Sequence, residues 1–346
     1  MSGVNEALEA PEVVVGLSAA LRSAVGGISV AEDGMSATVD GQELSADDPR
    51  ALESLLAGAL YETWHAGRRE GAENLPRQLR DAEFEQALGG AVPHGHTSVG
   101  VLVHAAPERS AAGVTEAVVQ RDGVRIRIAI ARESVEGVAG ETADATFGTA
   151  VDWVPGDRIA LRVPAARPAL SPGFFLVDGS TPGSGSGGAT VRLYVHLTDS
   201  RSAVSVWGRV LSHLEERKVP YRAKVLSSRL LYPRRDALVV YLDEDARAAV
   251  TGLAEAIAGS PGVGEETSVF THRLGPGVAL AWEPEDRRQP MQGLSFGQHR
   301  ASAVAKAVLD SRKSGNSVER ELLSQFAEAD IDPADPARNS TSPRLF

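Results

Sequence analysis

VRLYVHL (191–197) alternates strictly: Val191, Leu193, Val195 and Leu197 are apolar, and Arg192, Tyr194 and His196 carry a cation, a phenol and an imidazole between them. A period of two marks a strand with two unlike faces. Downstream the pattern predicts an amphipathic helix around Val204–Lys218. Strands follow at Tyr221–Leu226 and Ala237–Leu242, then a helix over Glu244–Ala258. VALAWEP (278–284) reads as a further strand, and a last helix starts near Ser295. Residues 190–313 therefore read as a compact α/β unit with a mixed sheet.

Upstream, residues 91–180 read as β-rich. GVRIRIAIA (123–131) sets Val124, Ile126, Ile128 and Ile130 against Arg125 and Arg127, and RIALRV (158–163) and SPGFFLVDG (171–179) add short strands. Residues 1–90 read as mostly helical, with a small hairpin near Gly27–Gln42. ALESLLAGALYETWHAG (51–67) puts Leu52, Leu55, Leu56, Leu60 and Trp64 on one helix face. GSTPGSGSGG (179–188) is small and polar, so 181–189 reads as a linker or loop. A phosphate-binding loop is the sharper alternative, but no Gly-Lys-Ser/Thr follows. Beyond Ser314 the text turns polar, and 314–346 reads as a flexible tail. The fold class expected is α+β.

The 346 residues carry a net charge of -11 and are 42% apolar, which excludes a wholly disordered chain. The absence of cysteine excludes disulfides, thiolate zinc sites and a cysteine nucleophile. A pI near 5.3 argues against nucleic acid as a partner. Acids in the first thirteen residues, and no apolar run of the roughly 18 residues that span a bilayer, lead to the expectation of a cytoplasmic protein without membrane contact. HGH (94–96) and His104 lack the spacing of a zinc signature, so no metal is expected.

Four rows of polar residues could carry chemistry. Arg192, Tyr194 and His196 share one strand face, which could hold an anion or simply meet solvent. Arg222 and Lys224 share a face of YRAKVL (221–226). A lysine, unlike an arginine, can give up its proton and so serve as a general base; the alternative is a surface lysine. Ser295 and Gln298 form a capping box. Behind it, His299 and Arg300 fall in the first helical turn, where free N–H groups attract phosphate. PRRDALVVYL (233–242) places Arg234, Arg235 and Asp236 before a strand, as a phosphate clamp oriented by Asp236 or as a surface pair.

In order, VRLYVHL, VPYRAKVL (219–226), RRDALVVYL (234–242), FTHRLGPGVALAWEP (270–284) and SFGQHR (295–300) resemble the HopA family, named after a type III secreted bacterial effector; ALYETWHAG and SPGFF add a weaker likeness. Related domains occur in the class V lanthipeptide and thioamitide pathways. The resemblance implies a phosphoserine/phosphothreonine lyase. A separate kinase-like partner phosphorylates a ribosomal precursor peptide, and the lyase eliminates the phosphate to leave a dehydroamino acid, without metal or redox cofactor. It implies Lys224 as base and Tyr194 or His299 as proton donor. It implies Arg192, Arg222, Arg235 and Arg300 as phosphate ligands, with Asp236 and Arg273 in support. His196 stands where the family has an amide side chain and gets no role. A non-catalytic phosphopeptide- or kinase-binding module is the competing expectation, and a homodimer stays open.

Overall fold

A computed structural model describes residues 16–67, 79–109, 115–121, 124–130, 135–139, 153–183 and 189–344. Most of the expected 181–189 linker, residues 184–188, lies outside them. In chain order, α1 (Ala19–Val25) precedes a three-stranded meander, β1 (Ile28–Val30), β2 (Ser36–Val39) and β3 (Gln42–Ser45). α2 (Pro49–Leu60) runs into a π-helical turn, Tyr61–Ala66, and α3 (Ala82–Gly90) follows. β4 (His96–Arg109), β5 (Thr115–Arg121), β6 (Val124–Ile130), β7 (Val135–Ala139) and β8 (Arg158–Pro164) form one antiparallel sheet, in the order β6-β5-β4-β8-β7.

The central sheet takes β9 (Ala166–Ser171), β10 (Phe174–Asp178) and β11 (Thr190–Leu197). After α4 (Ser200–Glu216) come β12 (Arg222–Leu226) and β13 (Arg234–Asp243). After α5 (Ala249–Ile257) come β14 (His272–Gly275) and β15 (Val278–Trp282). α6 (Phe296–Ser314) and α7 (Val318–Glu328) end the helices. The sheet order is β14-β15-β11-β13-β12-β10-β9, and every pair is antiparallel.

The α+β class stands, but the mixed sheet expected for the C-terminal unit does not. Strand–helix–strand succession often sets two parallel strands side by side. Here β13 lies between β11 and β12, antiparallel to both, so that pairing never forms. β9 and β10 also join this sheet, so the boundary expected at residue 180 cuts through it.

Each face of the central sheet has its own cover. Val191, Leu193, Val195 and Leu197 face one layer with Leu238, Val240 and Leu242. α4 caps itself with Asp199 on the Ser202 N–H and lays Ala203, Val206, Trp207, Val210, Leu211 and Leu214 on that layer, at helical spacing. α3 and α5 flank it with Leu88 and Leu253. On the opposite face, Tyr194, Val239 and Ala281 meet α2, the π-turn and α6 through Leu56, Leu60, Trp64, Phe296 and Val304. Leu55, expected on the buried face of α2, is exposed.

The flexible tail expected at 314–346 is folded as far as the described residues go. Serine-capped α7 packs Leu322 and Phe326 against α6, and Ile331 and Ala337 are fully buried beyond it. The Trp282 N–H donates to the Ala337 carbonyl at 2.7 Å. Polar, proline-rich text hid four apolar anchors spaced along the segment. Phe326→Ala should therefore cost about 3–5 kcal/mol of unfolding free energy by urea titration. A loss below about 1 kcal/mol would show that the segment is not docked.

Candidate active site

The helices leave part of the second sheet face bare, and a cleft of about 590 Å³ opens there. Its floor follows from register. Arg192 pairs with Tyr241, Tyr241 with Arg222, and Arg222 with Asp178, giving one row across four strands. One pleat further along, Lys224 pairs with Leu176 and Val239. Same-face residues stand two apart, so Lys224 shares the floor with Arg222. Thr97, Ser98 and Val99 of β4, the loop Gly179–Gly183, Tyr221 and Glu283 form the walls.

Each cleft arginine is held by a carboxylate. Arg192 grips Glu283 through Nε and Nη2, and its guanidinium lies 5.0 Å from the Tyr241 ring centroid. Arg222 Nε donates to Asp178 at 2.7 Å, and Asp178 also meets Arg167 at 2.9 Å. Lys224 differs. Among the described residues no carboxylate lies within 4 Å of its Nζ, which sits 4.3 Å from the Phe174 ring centroid and 5.7 Å from that of Tyr241.

Tyr194 does not reach the cleft. It is 5% exposed, edge-on to His65 and packed on Phe296. Among the described residues its hydroxyl has no hydrogen-bond partner of acceptable geometry, and burial pushes its pKa well above the ordinary phenol value. Beside it lies a sealed polar cluster. Arg234 forks onto Asp236 at 2.7 and 2.8 Å and donates to the Tyr61 hydroxyl, which donates to Asp236. Burial opposes ionisation of Asp236, but Arg234 outweighs it and holds the carboxyl below its usual range. His65 contacts the Ser268 hydroxyl at 2.9 Å. Asp236 thus pairs with Arg234 and does not orient Arg235. Gly297, where an added Cβ would come within 2.2 Å of the His65 ring, lets α6 close over this cluster.

Two further expected ligands, Arg235 and Arg300, and the expected supporting residue Arg273 are engaged outside the cleft. Arg235 donates to the Thr63 and Trp64 carbonyls and pairs with Glu266, tying down the end of the π-turn at Gly67. Arg273 lies on β14 at the far edge of the sheet, where it donates to the Gly275 carbonyl. Arg300 is fully buried and donates to the Pro336 and Arg338 carbonyls, to Asn339 Oδ1 and to His299 Nδ1. Burial pushes the Arg300 pKa down to about 9.

His299 is fixed as well. Arg300 donates to its Nδ1, so the ring proton sits on Nε2 and is donated to Asp286 at 3.0 Å. Burial and then Arg300 push its pKa down to about 4, and a side chain 1% exposed cannot protonate a leaving group in the cleft. Sequence reading missed Tyr241, Glu283 and Asp178, and it took Arg234 for a clamp or surface residue where the structure seals it against Asp236. The cue was there for Tyr241 and Glu283, which lie inside the quoted motifs RRDALVVYL and FTHRLGPGVALAWEP, but only cross-strand register brings them to Arg192. Among the described residues no group of three metal-ligating side chains converges.

His65 and His299 set a pH dependence. Burial is the main cause that pushes each down to about 4 from the ordinary histidine value of 6.5. A depressed histidine pKa means that the unfolded chain binds the extra proton first. Stability is complete above about pH 6.5 and falls as pH drops towards 4, with a slope of up to about 1.4 kcal/mol per pH unit per histidine. Urea titrations at pH 7, 5.5 and 4.5 should show this loss, and His299→Asn should flatten it. A stability curve level across this window would contradict it.

A model of the HopA1 effector protein family matches residues 165–338, which hold the whole central sheet, the cleft floor and Arg300. Among solved structures, the effector protein from Pseudomonas syringae pv. syringae strain 61 is 21% identical with a TM-score of 0.36, over 47% of this chain and 62% of that one. The chain thus spans less than two thirds of that effector's length. The effector protein from Pseudomonas syringae pv. tomato strain DC3000 is 14% identical with a TM-score of 0.42, over 83% of this chain and 98% of that one. No curated protein matches the sequence. On the family match, which covers half of its residues, the chain belongs to the HopA1 effector protein family.

Proposed function

We propose that this protein is a phosphoserine/phosphothreonine lyase. In this reading it acts on a ribosomal precursor peptide that a separate kinase-like protein has phosphorylated. One observation carries it: Lys224 stands in the cleft with no carboxylate partner among the described residues, beside arginines that are each held in place. Elimination needs a base for the Cα proton and cations for the phosphate. Lys224, as the amine, takes the proton. The C–H electron pair becomes the Cα–Cβ double bond, and the Cβ–O bond breaks to release phosphate. Arg192 spends two of its N–H donors on Glu283 and Arg222 one on Asp178, and a guanidinium has five. The rest can receive phosphate. Tyr241, between Arg192 and Lys224, is the phenol on the floor that can protonate the leaving group; Tyr194 and His299 are sealed away. The chemistry calls for no metal or redox cofactor.

The test is mass spectrometry on a synthetic phosphothreonine peptide. Elimination removes phosphoric acid, whereas hydrolysis restores the hydroxyl. Lys224→Ala should slow elimination about a hundredfold or more while the phosphopeptide still binds. Lys224→Arg should fail equally, because guanidinium keeps its proton. Arg222→Ala should weaken binding and turnover together. Elimination by Lys224→Ala at the parent rate would sink the mechanism. Binding without elimination by the parent protein would favour a phosphopeptide-binding module.

A further inference from the structure

β4 pairs with β8 over His96–Leu102 but with β5 only from Leu102 onward. From His96 to Val101 its other edge has no strand partner among the described residues. In an antiparallel pair, successive residues aim their backbone groups alternately at one neighbour and the other. The Gly95 carbonyl accepts from Ala165, and Val103 bonds Asp157 and Gly156, so both odd-numbered residues face β8. Ser98 and Gly100 therefore aim N–H and C=O at the open edge, where no described group bonds them. Ser98 and Val99 line the cleft that holds Lys224, and β8 contributes nothing to it, so this edge borders the cleft. Natural edges are usually blunted by lysine, proline or a bulge. Ser-Val-Gly-Val (98–101) has no charge and no proline, and Gly100 is exposed with open space above it.

We propose that the open edge of β4 at Ser98 and Gly100 binds the substrate backbone. An extended stretch of peptide next to the phosphorylated residue adds to the sheet as a strand, while its phosphate lies among Arg192, Arg222 and Lys224. This rests on the phosphopeptide reading of the cleft. Backbone pairing gives affinity with little dependence on side chains, so sites of different sequence can use one cleft.

The experiment uses the full chain carrying Lys224→Ala, so that the ligand is not consumed while binding is read, and a blocked nine-residue peptide of alternating alanine and serine around a central phosphothreonine. Blocked phosphothreonine alone and single N-methylated versions of the peptide are the comparisons. Binding is read by calorimetry and by amide hydrogen exchange over residues 97–101. The nine-residue peptide should bind at least about tenfold tighter than blocked phosphothreonine, through several backbone hydrogen bonds worth about three- to tenfold each. N-methylation should weaken binding about three- to tenfold at alternate positions on one side of the phosphothreonine and less than about twofold between them. Exchange over 97–101 should slow on saturation. The scan changes only the ligand, so folding is not at issue. Equal affinity for both probes, an N-methyl effect without alternation, or unchanged exchange would overturn the edge and leave the lyase reading standing. Failure of both probes to bind would overturn both.

Discussion

Val191, Leu193, Val195 and Leu197 are claimed by the α4–α5 layer, so Arg192, Tyr194 and His196 are forced to the other face of β11. A pleated strand allows no third choice. A cation and two polar rings on an inner strand are costly to bury without partners, and the fold meets this by degrees. Tyr194 lies deepest, sealed by Phe296 and His65. Arg192, one pleat outward, reaches Glu283 at the rim. The second helical layer stops between these two residues, and the cleft begins where it stops. The site is thus what remains of a sheet face that α2, the π-turn and α6 cover only in part.

Net charge says little about such a site. The chain carries -11, yet charges separated by more than about 8–10 Å are largely screened in salt, so close pairs decide the field. The two kinds of buried arginine show the point. Arg234, beside Asp236, forms a closed ion pair deep in the core. Arg300 forms no ion pair among the described residues and is satisfied by backbone carbonyls of the C-terminal segment. Asn339 accepts from Arg300 and donates to the Glu283 carbonyl, so that segment is fastened to the residue that holds Arg192. Removing one member of such a network leaves others buried and unpaired, at about 1–3 kcal/mol each.

Much of the fold was legible. Period-two alternation in VRLYVHL and the helical spacing from Ala203 to Leu214 are local signals, and the structure follows them. Register is not local. Nothing within RRDALVVYL says that Tyr241 stands opposite both Arg192 and Arg222, or that β13 separates β11 from β12. Burial of a charge is equally hidden. His299 and Arg300 sit in the first turn of a serine-capped helix, where an anion site is a sound expectation from sequence. That turn instead faces the C-terminal segment, whose carbonyls use up the guanidinium. Arg222 and Lys224 were easier, because residues two apart on one strand share a face whatever the sheet order.

The difference between Lys224 and its neighbours has a mechanical meaning. A guanidinium clasped by a carboxylate has its plane fixed, which suits a group that must receive phosphate oxygens at set angles. Glu283 and Asp178 do this for Arg192 and Arg222 while offsetting part of their charge. Lys224 is confined by rings rather than by a carboxylate. Phe174 and Tyr241 limit where Nζ can go but offer it no carboxylate oxygen. A carboxylate there would close the ammonium into an ion pair. Ring faces instead attract it as a cation and hold the nitrogen in place while leaving its N–H donors open, so in the proposed reading the substrate's own phosphate is the anion that meets it in the cleft.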